Sequence, residues 1–384
     1  MPLTANWSYP TAIRFGAGRI SELADACAQS DIQRPLLVTD RGLASLPITS
    51  GALDVLDEGG LGRAVFSEVD PNPNERNLAV GIEAFRSGGH DGVVAFGGGS
   101  ALDLGKMIAF MARQVRPVWD FEDIGDWWTR ANAEAIYPNI CVPTTAGTGS
   151  EVGRASVLTN SESHEKKIIF HPKVLPSVVI ADPELTVGMP ATITAGTGMD
   201  AFAHCLEAYC SPHYHPMSQG IAVEGLRLVK ENLPVAFAQP DNLDARANMM
   251  SAAMMGATAF QKGLGAIHAI SHPIGAMHDT HHGTTNAVVM TEVLAFNRPA
   301  IEDRIVALNG YLGIAGGFEG FVSFVQGLND SLGIPATLEA LGVHDPDMDR
   351  LLAGALSDPS TGGNPIRMTE ENTRDLLQTL LEKA

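Results

Sequence analysis

Long hydrophobic runs are missing from this chain: no stretch of about 18 apolar residues occurs, so no transmembrane helix is expected. Cysteine is scarce. The four residues Cys27, Cys141, Cys205 and Cys210 have neither metal-finger spacing nor the pattern of a disulfide framework, which implies reduced thiols. Basic residues are outnumbered 25 to 44, giving a net charge of −19. Such an acidic chain is no partner for a nucleic-acid backbone, and no membrane association is expected either. Met1 to Trp7 lack a basic start followed by an apolar core, so no signal peptide is expected and the chain reads as cytoplasmic. Charged residues make up only 18%, but hydrophobic residues reach 45%, which supports a sizeable core and excludes disorder. A length of 384 residues suggests two domains.

The first half alternates short apolar runs with helical patterns. Strands are expected at Leu36–Thr39, Gly92–Phe96, Asn139–Val142 and Ser177–Ile180, with helices over Asn74–Ser87 and Ala101–Arg113. This alternation predicts an α/β nucleotide-binding domain, a mostly parallel sheet with flanking helices. After Asp182-Pro183-Glu184 the pattern turns helical: Ala195–Tyr209, Met217–Leu233, Leu243–Phe260, Ile267–Met277, Thr284–Phe296 and Thr369–Glu382. The expected division is therefore residues 1–185 for the α/β domain and 186–384 for an all-α metal-binding domain.

Gly97-Gly98-Gly99-Ser100 follows a strand and opens a helix. Glycines let the backbone approach a phosphate, and the helix N-terminus offers free N–H groups and a partial positive charge. Ser100 is expected to cap this helix, with Asp103 completing a capping box. The common dinucleotide fingerprint fails, because Leu102 stands where its third glycine would fall. A second loop, Pro143 to Glu151, is rich in small and hydroxyl residues and also ends a strand. Two such loops at strand ends suggest a ligand crevice. Asp40, at the end of the first expected strand, can accept hydrogen bonds from ribose hydroxyls and would repel a 2′-phosphate, favouring NAD over NADP.

The helical half carries the histidines. His268, His272, His278, His281 and His282 fall within one short segment of a chain holding 12 histidines in all. Asp200 and His204 are four residues apart, as are His268 and His272, so each pair shares a helix face. One carboxylate and three imidazoles can hold a divalent cation with a coordination position left open. Five clustered histidines exceed what one tetrahedral site needs, and spacing does not say which ones ligate.

The stretches GGGSALDLGK (97–106), PTTAGTGSE (143–151), DAFAHCLEAY (200–209) and GLGAIHAISHPIGAMHDTHHG (263–283) occur in order over essentially the whole chain. Together they resemble the iron-containing, group III alcohol dehydrogenases. The resemblance implies a metal site of Asp200, His204, His268 and His282, with Fe²⁺ as the ion, although the ligand types also accept Zn²⁺ or other divalent metals. It implies that His272 lies near metal and nicotinamide without ligating, and His272 is expected to relay the proton. It assigns NAD(H) contacts to Asp40, Gly97, Gly98, Gly99, Ser100, Asp103, Thr144, Thr145, Thr148 and Lys167.

The implied chemistry is hydride transfer between a metal-bound alkoxide and nicotinamide C4, in an alcohol dehydrogenase or aldehyde reductase working on a small alcohol or aldehyde. In the family, the region of Lys262 borders the substrate pocket. Lys262, with His278 and Arg154 as further candidates, could favour a substrate with a distal anion, whereas an ordinary lysine is solvated. Relatives on the same fold supply the alternatives. A dehydroquinate synthase-like enzyme would need more converging Lys and Arg, and maleylacetate reductases commonly lack the complete ligand set. A homodimer or higher homo-oligomer is expected.

Overall fold

The computed structural model describes residues 9–163 and 165–382. Met1 to Trp7, on which the absence of a leader was read, lie outside the described residues. Two compact units emerge. One comprises Tyr9–Thr145 and Gly149–Gly188, and the other holds Ala146–Thr148 and the chain from Met189 onward. The division expected at residue 185 thus falls between Gly188 and Met189, and a three-residue piece of the second loop groups with the helical unit.

The first unit contains β1 (Ala12–Phe15), α1 (Leu23–Gln29), β2 (Pro35–Val38), α2 (Arg41–Ala44), α3 (Pro47–Glu58), β3 (Val65–Phe66), α4 (Glu75–Ser87), β4 (Gly92–Gly97), α5 (Gly99–Met111), β5 (Asn139–Pro143), β6 (Ala155–Thr159), β7 (Lys166–Phe170) and β8 (Val178–Ala181). Six strands form a parallel sheet in the order β1-β8-β5-β4-β2-β3. Its register pairs Pro35 with Gly92, Val93 with Asn139, and Ile140 with Val178. Every residue of β2, β4, β5 and β8 is buried. That is why they read as unbroken apolar runs: a parallel sheet is covered on both faces. On one side Leu37, Phe96, Ile140 and Ile180 pack with Leu23, Cys27 and Leu56 from α1 and α3. The antiparallel hairpin β6–β7, paired Ala155 to Phe170, was not expected.

The second unit is helical: α6 (Ala191–Cys210), α7 (Pro216–Ala238), α8 (Leu243–Ala259), α9 (Ala266–His278), α10 (His282–Leu312), α11 (Gly317–Ser331), α12 (Met348–Ser357) and α13 (Glu370–Glu382). Every residue of α6 from Thr194 to Cys210 is buried, with α7, α8 and α10 packed around it. A helix covered on all sides needs no polar face, which makes α6 the axis of this unit. Among the described residues no single helix is long and apolar enough to cross a membrane.

Candidate metal centre

Asp200 and His204 lie one turn apart on α6, His268 sits in the first turn of α9, and His282 opens α10. The convergence depends on close helix contact. A Cβ on Gly283 would stand 2.0 Å from the Gly196 carbonyl oxygen and 2.9 Å from Asp200 Cβ, so only glycine lets α10 start against α6 here. Its neighbour His282 is thereby set beside Asp200.

Asp200 Oδ1 lies 3.7 Å from His204 Nε2, 3.6 Å from His268 Nε2 and 3.5 Å from His282 Nε2. Asp200, His204 and His268 each bring one donor atom within 4.8 Å of the others, a grouping that could hold a divalent cation of the zinc or iron type, and His282 adds a nitrogen beside Asp200. Asp200, His204 and His268 are buried, while the His282 side chain is 26% exposed and that of the adjacent His272 is 19% exposed. The centre therefore opens on the His272–His282 side, where the two rings stack with centroids 5.0 Å apart.

The electrostatics separate Asp200, His204 and His268. Burial would raise the Asp200 carboxyl, but His204, His282 and His268 outweigh it and hold it far below the usual carboxylate range. Burial pushes His204 down to about 4, only partly offset by Asp200. Burial also disfavours charge on His268, yet Glu207 and Asp200 overcome it and lift the group to about 10.

Three residues around this set were not anticipated. Glu207 on α6 accepts from Ile267 N–H at 2.7 Å and pairs through Oε2 with His268 Nδ1 at 2.5 Å. Asn286 on α10 donates through Nδ2 to Asp200 Oδ1 at 2.9 Å and lies 3.3 Å from both His268 Nε2 and His282 Nε2. Asp358, just past α12, stands 2.7 Å through Oδ2 from His272 Nδ1. Helical spacing contained the signal for two of them: Glu207 lies two turns beyond Asp200, and Asn286 one turn beyond His282. Asp358 is 86 residues from its partner, with no local signal.

In the other unit, Asp40, Gly97, Gly98, Thr144 and Thr145 lie at the carboxyl ends of β2, β4 and β5, which are neighbours in the sheet. Asp40 caps α2, accepting from Leu43 N–H, and a Cβ on Gly97 would lie 3.8 Å from its Oδ2. Thr144 N–H donates to Gly97 O at 3.0 Å, and a Cβ on Gly98 would stand 3.2 Å from Thr145 Cγ2. Thr148 falls in the piece that groups with the helical unit.

Several expectations need correction. The capping box does not form: α5 begins at Gly99 with Gly98 as its cap, which puts Ser100 inside the first turn, where its hydroxyl donates to Pro71 O. Asp103 faces the chain instead. It accepts from Ser150 Oγ and Val157 N–H and pairs with buried Lys106 at 3.2 Å, so its carboxylate is already engaged. Lys167, on the hairpin, pairs with Glu165 at 2.8 Å and Glu122 at 3.8 Å. Lys262 is neither solvated nor free for a substrate: it is 2% exposed and donates to the Ala208 and Tyr209 carbonyls at the end of α6. Arg154 stands 5.3 Å over the Phe170 ring, and His278 ends α9 near His344.

Comparison with known proteins agrees over the full length. Residues 10–183 match the model of the iron-containing alcohol dehydrogenases, and residues 194–381 match that of the C-terminal part of the same family. A 4-hydroxybutyrate dehydrogenase of Cupriavidus necator is 39% identical over 380 residues, covering 96% of this chain and 98% of its own. The crystal structure of a 1,3-propanediol oxidoreductase superposes with a TM-score of 0.93 at 34% identity, covering 98% of this chain and all of that one. A sulfoacetaldehyde reductase from Bifidobacterium kashiwanohense, solved in complex with NAD+, gives a TM-score of 0.89 at 29% identity, covering 99% of this chain and all of that one.

Proposed function

The chain belongs to the iron-containing alcohol dehydrogenase family, and from that premise we propose that Asp200, His204, His268 and His282 hold the metal and His272 moves the proton. The protein is an NAD-dependent, metal-dependent alcohol dehydrogenase acting on a small alcohol or aldehyde. When bound, a divalent ion supplies Lewis acidity toward the alcohol or carbonyl oxygen, and NAD(H) supplies the two-electron acceptor or donor. The observation that carries the ligand assignment is the convergence of three imidazole nitrogens on Asp200 Oδ1 at 3.5–3.7 Å.

The residues divide the remaining work. Asp200 brings the negative charge, and burial keeps His204 neutral and able to ligate. Glu207 accepts from His268 Nδ1–H and so presents the opposite nitrogen, a carboxylate–histidine arrangement common behind metal ligands. His272, beside the open face, is placed to take or return a proton. Asp40 reads the ribose, Gly97 to Ser100 receive the pyrophosphate at the start of α5, and Thr144, Thr145 and Thr148 line the cofactor.

For substrate we favour a short ω-hydroxy acid or its aldehyde. The support is the 39% identity to a 4-hydroxybutyrate dehydrogenase, not Lys262, whose ammonium is taken up by carbonyls. We also propose a cytoplasmic homo-oligomer without nucleic-acid or membrane partners. Four buried free cysteines fit a reducing compartment.

The test is anaerobic reconstitution with Fe²⁺ or Zn²⁺ and an NADH assay with succinic semialdehyde, 3-hydroxypropanal, sulfoacetaldehyde and acetaldehyde. Metal-dependent turnover with the four-carbon acid aldehyde leading is expected. Equal rates on all four would refute the anion preference, and full activity of His204→Ala with no bound metal would refute the ligand set. His272→Ala should slow turnover with metal content unchanged.

A further inference from the structure

His272 is held more firmly than a proton carrier on an open face needs to be, and the restraint comes from α12. Asp358 ends that helix with its two carboxylate oxygens divided. Oδ1 accepts from Ser360 N–H at 2.8 Å, starting the next turn, and Oδ2 meets His272 Nδ1 at 2.7 Å. An ionised carboxylate only accepts, so Nδ1 must carry hydrogen, and in the neutral ring Nε2 is left with the lone pair. The ring plane is fixed independently by its stack on His282, 14° from parallel, and by an edge contact with His268 at 5.8 Å.

The approach of the two helices is specific. A Cβ on Gly354 of α12 would stand 2.7 Å from Pro273 Cβ, the residue following His272. Glycine there lets α12 close on α9, and Asp358 follows one turn later. The contact is thus set by the helix packing of the unit and not by a chance surface pairing.

We propose that Asp358 is a positioning residue of the reaction: it locks His272 in the Nδ1–H form, so that Nε2 is the atom exchanging a proton with the substrate hydroxyl. This rests on the reading of His272 as proton carrier. In alcohol oxidation the O–H bond breaks, the Nε2–H bond forms, and the resulting imidazolium is balanced by Asp358 until the proton leaves on the exposed side. Aldehyde reduction reverses each transfer. The arrangement follows the logic of carboxylate–imidazole pairs elsewhere, where the carboxylate orients the ring without itself taking the proton.

Asp358→Asn separates this role from a structural one. Asparagine keeps an oxygen for Ser360 N–H but presents an amide donor to His272, which must then carry its hydrogen on Nε2. For the metal-loaded variant we expect kcat to fall at least about a hundredfold, the lower range for lost general acid–base assistance. KM for NAD, metal content and melting temperature should stay near wild type. Adding His272→Ala to Asp358→Asn should cause no further loss. Nitrogen-15 NMR of the zinc-loaded wild-type enzyme reads the tautomer directly and needs no variant: Nδ1–H at His272 is expected, and Nε2–H would overturn the proposal. If His272→Ala is slow but Asp358→Asn turns over like wild type, Asp358 has no such role while His272 keeps its own. If His272→Ala is as fast as wild type, the proton-carrier reading fails first and this inference fails with it.

Discussion

Replacing Glu207 by Gln should weaken metal binding without removing any metal-facing atom. In the wild type, Oε1 accepts from Ile267 N–H at 2.7 Å and Oε2 faces His268 Nδ1 at 2.5 Å, all of it buried. Glutamine keeps the carbonyl for Ile267 and turns an NH₂ toward Nδ1. Two donors then oppose each other, and the conflict is relieved by moving the His268 hydrogen to Nε2. That nitrogen is the one standing 3.6 Å from Asp200 Oδ1, and protonated it cannot ligate. Loss of such an outer partner lowers metal affinity by about 10–100-fold, which is about 1.4–2.7 kcal/mol. A charge-assisted hydrogen bond of about 1.5–3 kcal/mol gives the same scale from the structural side. The assay is competition between the protein and a chromophoric chelator for Zn²⁺. Glu207→Ala is the control for fold damage: it strands the Ile267 N–H as well, so it should lose roughly 1–3 kcal/mol more stability than the glutamine variant. Wild-type zinc affinity in Glu207→Gln would refute the argument that this carboxylate orients His268.

Lys262→Met should lower the melting temperature, because the Ala208 and Tyr209 carbonyls lose a buried ammonium. The ratio of kcat/KM between succinic semialdehyde and butanal should not change. A changed ratio would return Lys262 to the substrate pocket. Glu151 is buried in the nucleotide unit, and desolvation pushes its carboxyl up from 4.5 to about 7. The folded state therefore holds the proton more tightly than the unfolded chain. Stability attributable to this group is full below pH 4.5, declines as pH rises to about 7 and is flat beyond, a loss approaching roughly 3 kcal/mol. Urea midpoints measured across that range should fall for the wild type and level out for Glu151→Gln; parallel curves would contradict the assignment. Gly354→Ala should destabilise the helical unit by about 1–3 kcal/mol through overpacking against Pro273 and reduce kcat more than KM for NAD. A silent substitution by both measures would mean that α12 can retreat without disturbing His272.

Much of the architecture was legible because burial writes itself into the pattern. Strands covered on both faces read as apolar runs, and the helical half reads as long segments with few β-branched runs. What escaped detection has identifiable causes. The helix read as Thr284–Phe296 continues to Leu312 through Pro299. A proline normally argues for a helix end, but here Asn297 exchanges hydrogen bonds with Asn364, an anchor no local window contains. The β6–β7 hairpin was hidden because its strands are only partly buried and carry Lys166 and Lys167. At the centre, local spacing pairs Asp200 with His204, but family resemblance was needed to choose among the five histidines. Lys262 reads as solvated or pocket-facing because lysines are mostly exposed, whereas two helix-end carbonyls hold this one inside, and burial, helped by Arg304, pushes it down to about 8. Asp358 lies 86 residues from His272, outside the reach of any local sequence pattern.

The spread of the metal-facing donors over α6, α9 and α10 has a consequence for how the protein is made. Asp200 meets Asn286 across 86 residues, and Glu207 meets His268 across 61. Contacts this distant close late in folding, since the entropy of bringing remote segments together must be overcome first. On the ribosome, the one donor pair available early is Asp200 with His204, too few ligands to retain an ion. The full set exists only after synthesis has passed His282 and α10 has docked against α6. A geometrically complete set of the proposed ligands therefore forms only in the folded helical unit, and selection of an ion by the shape of the site begins there.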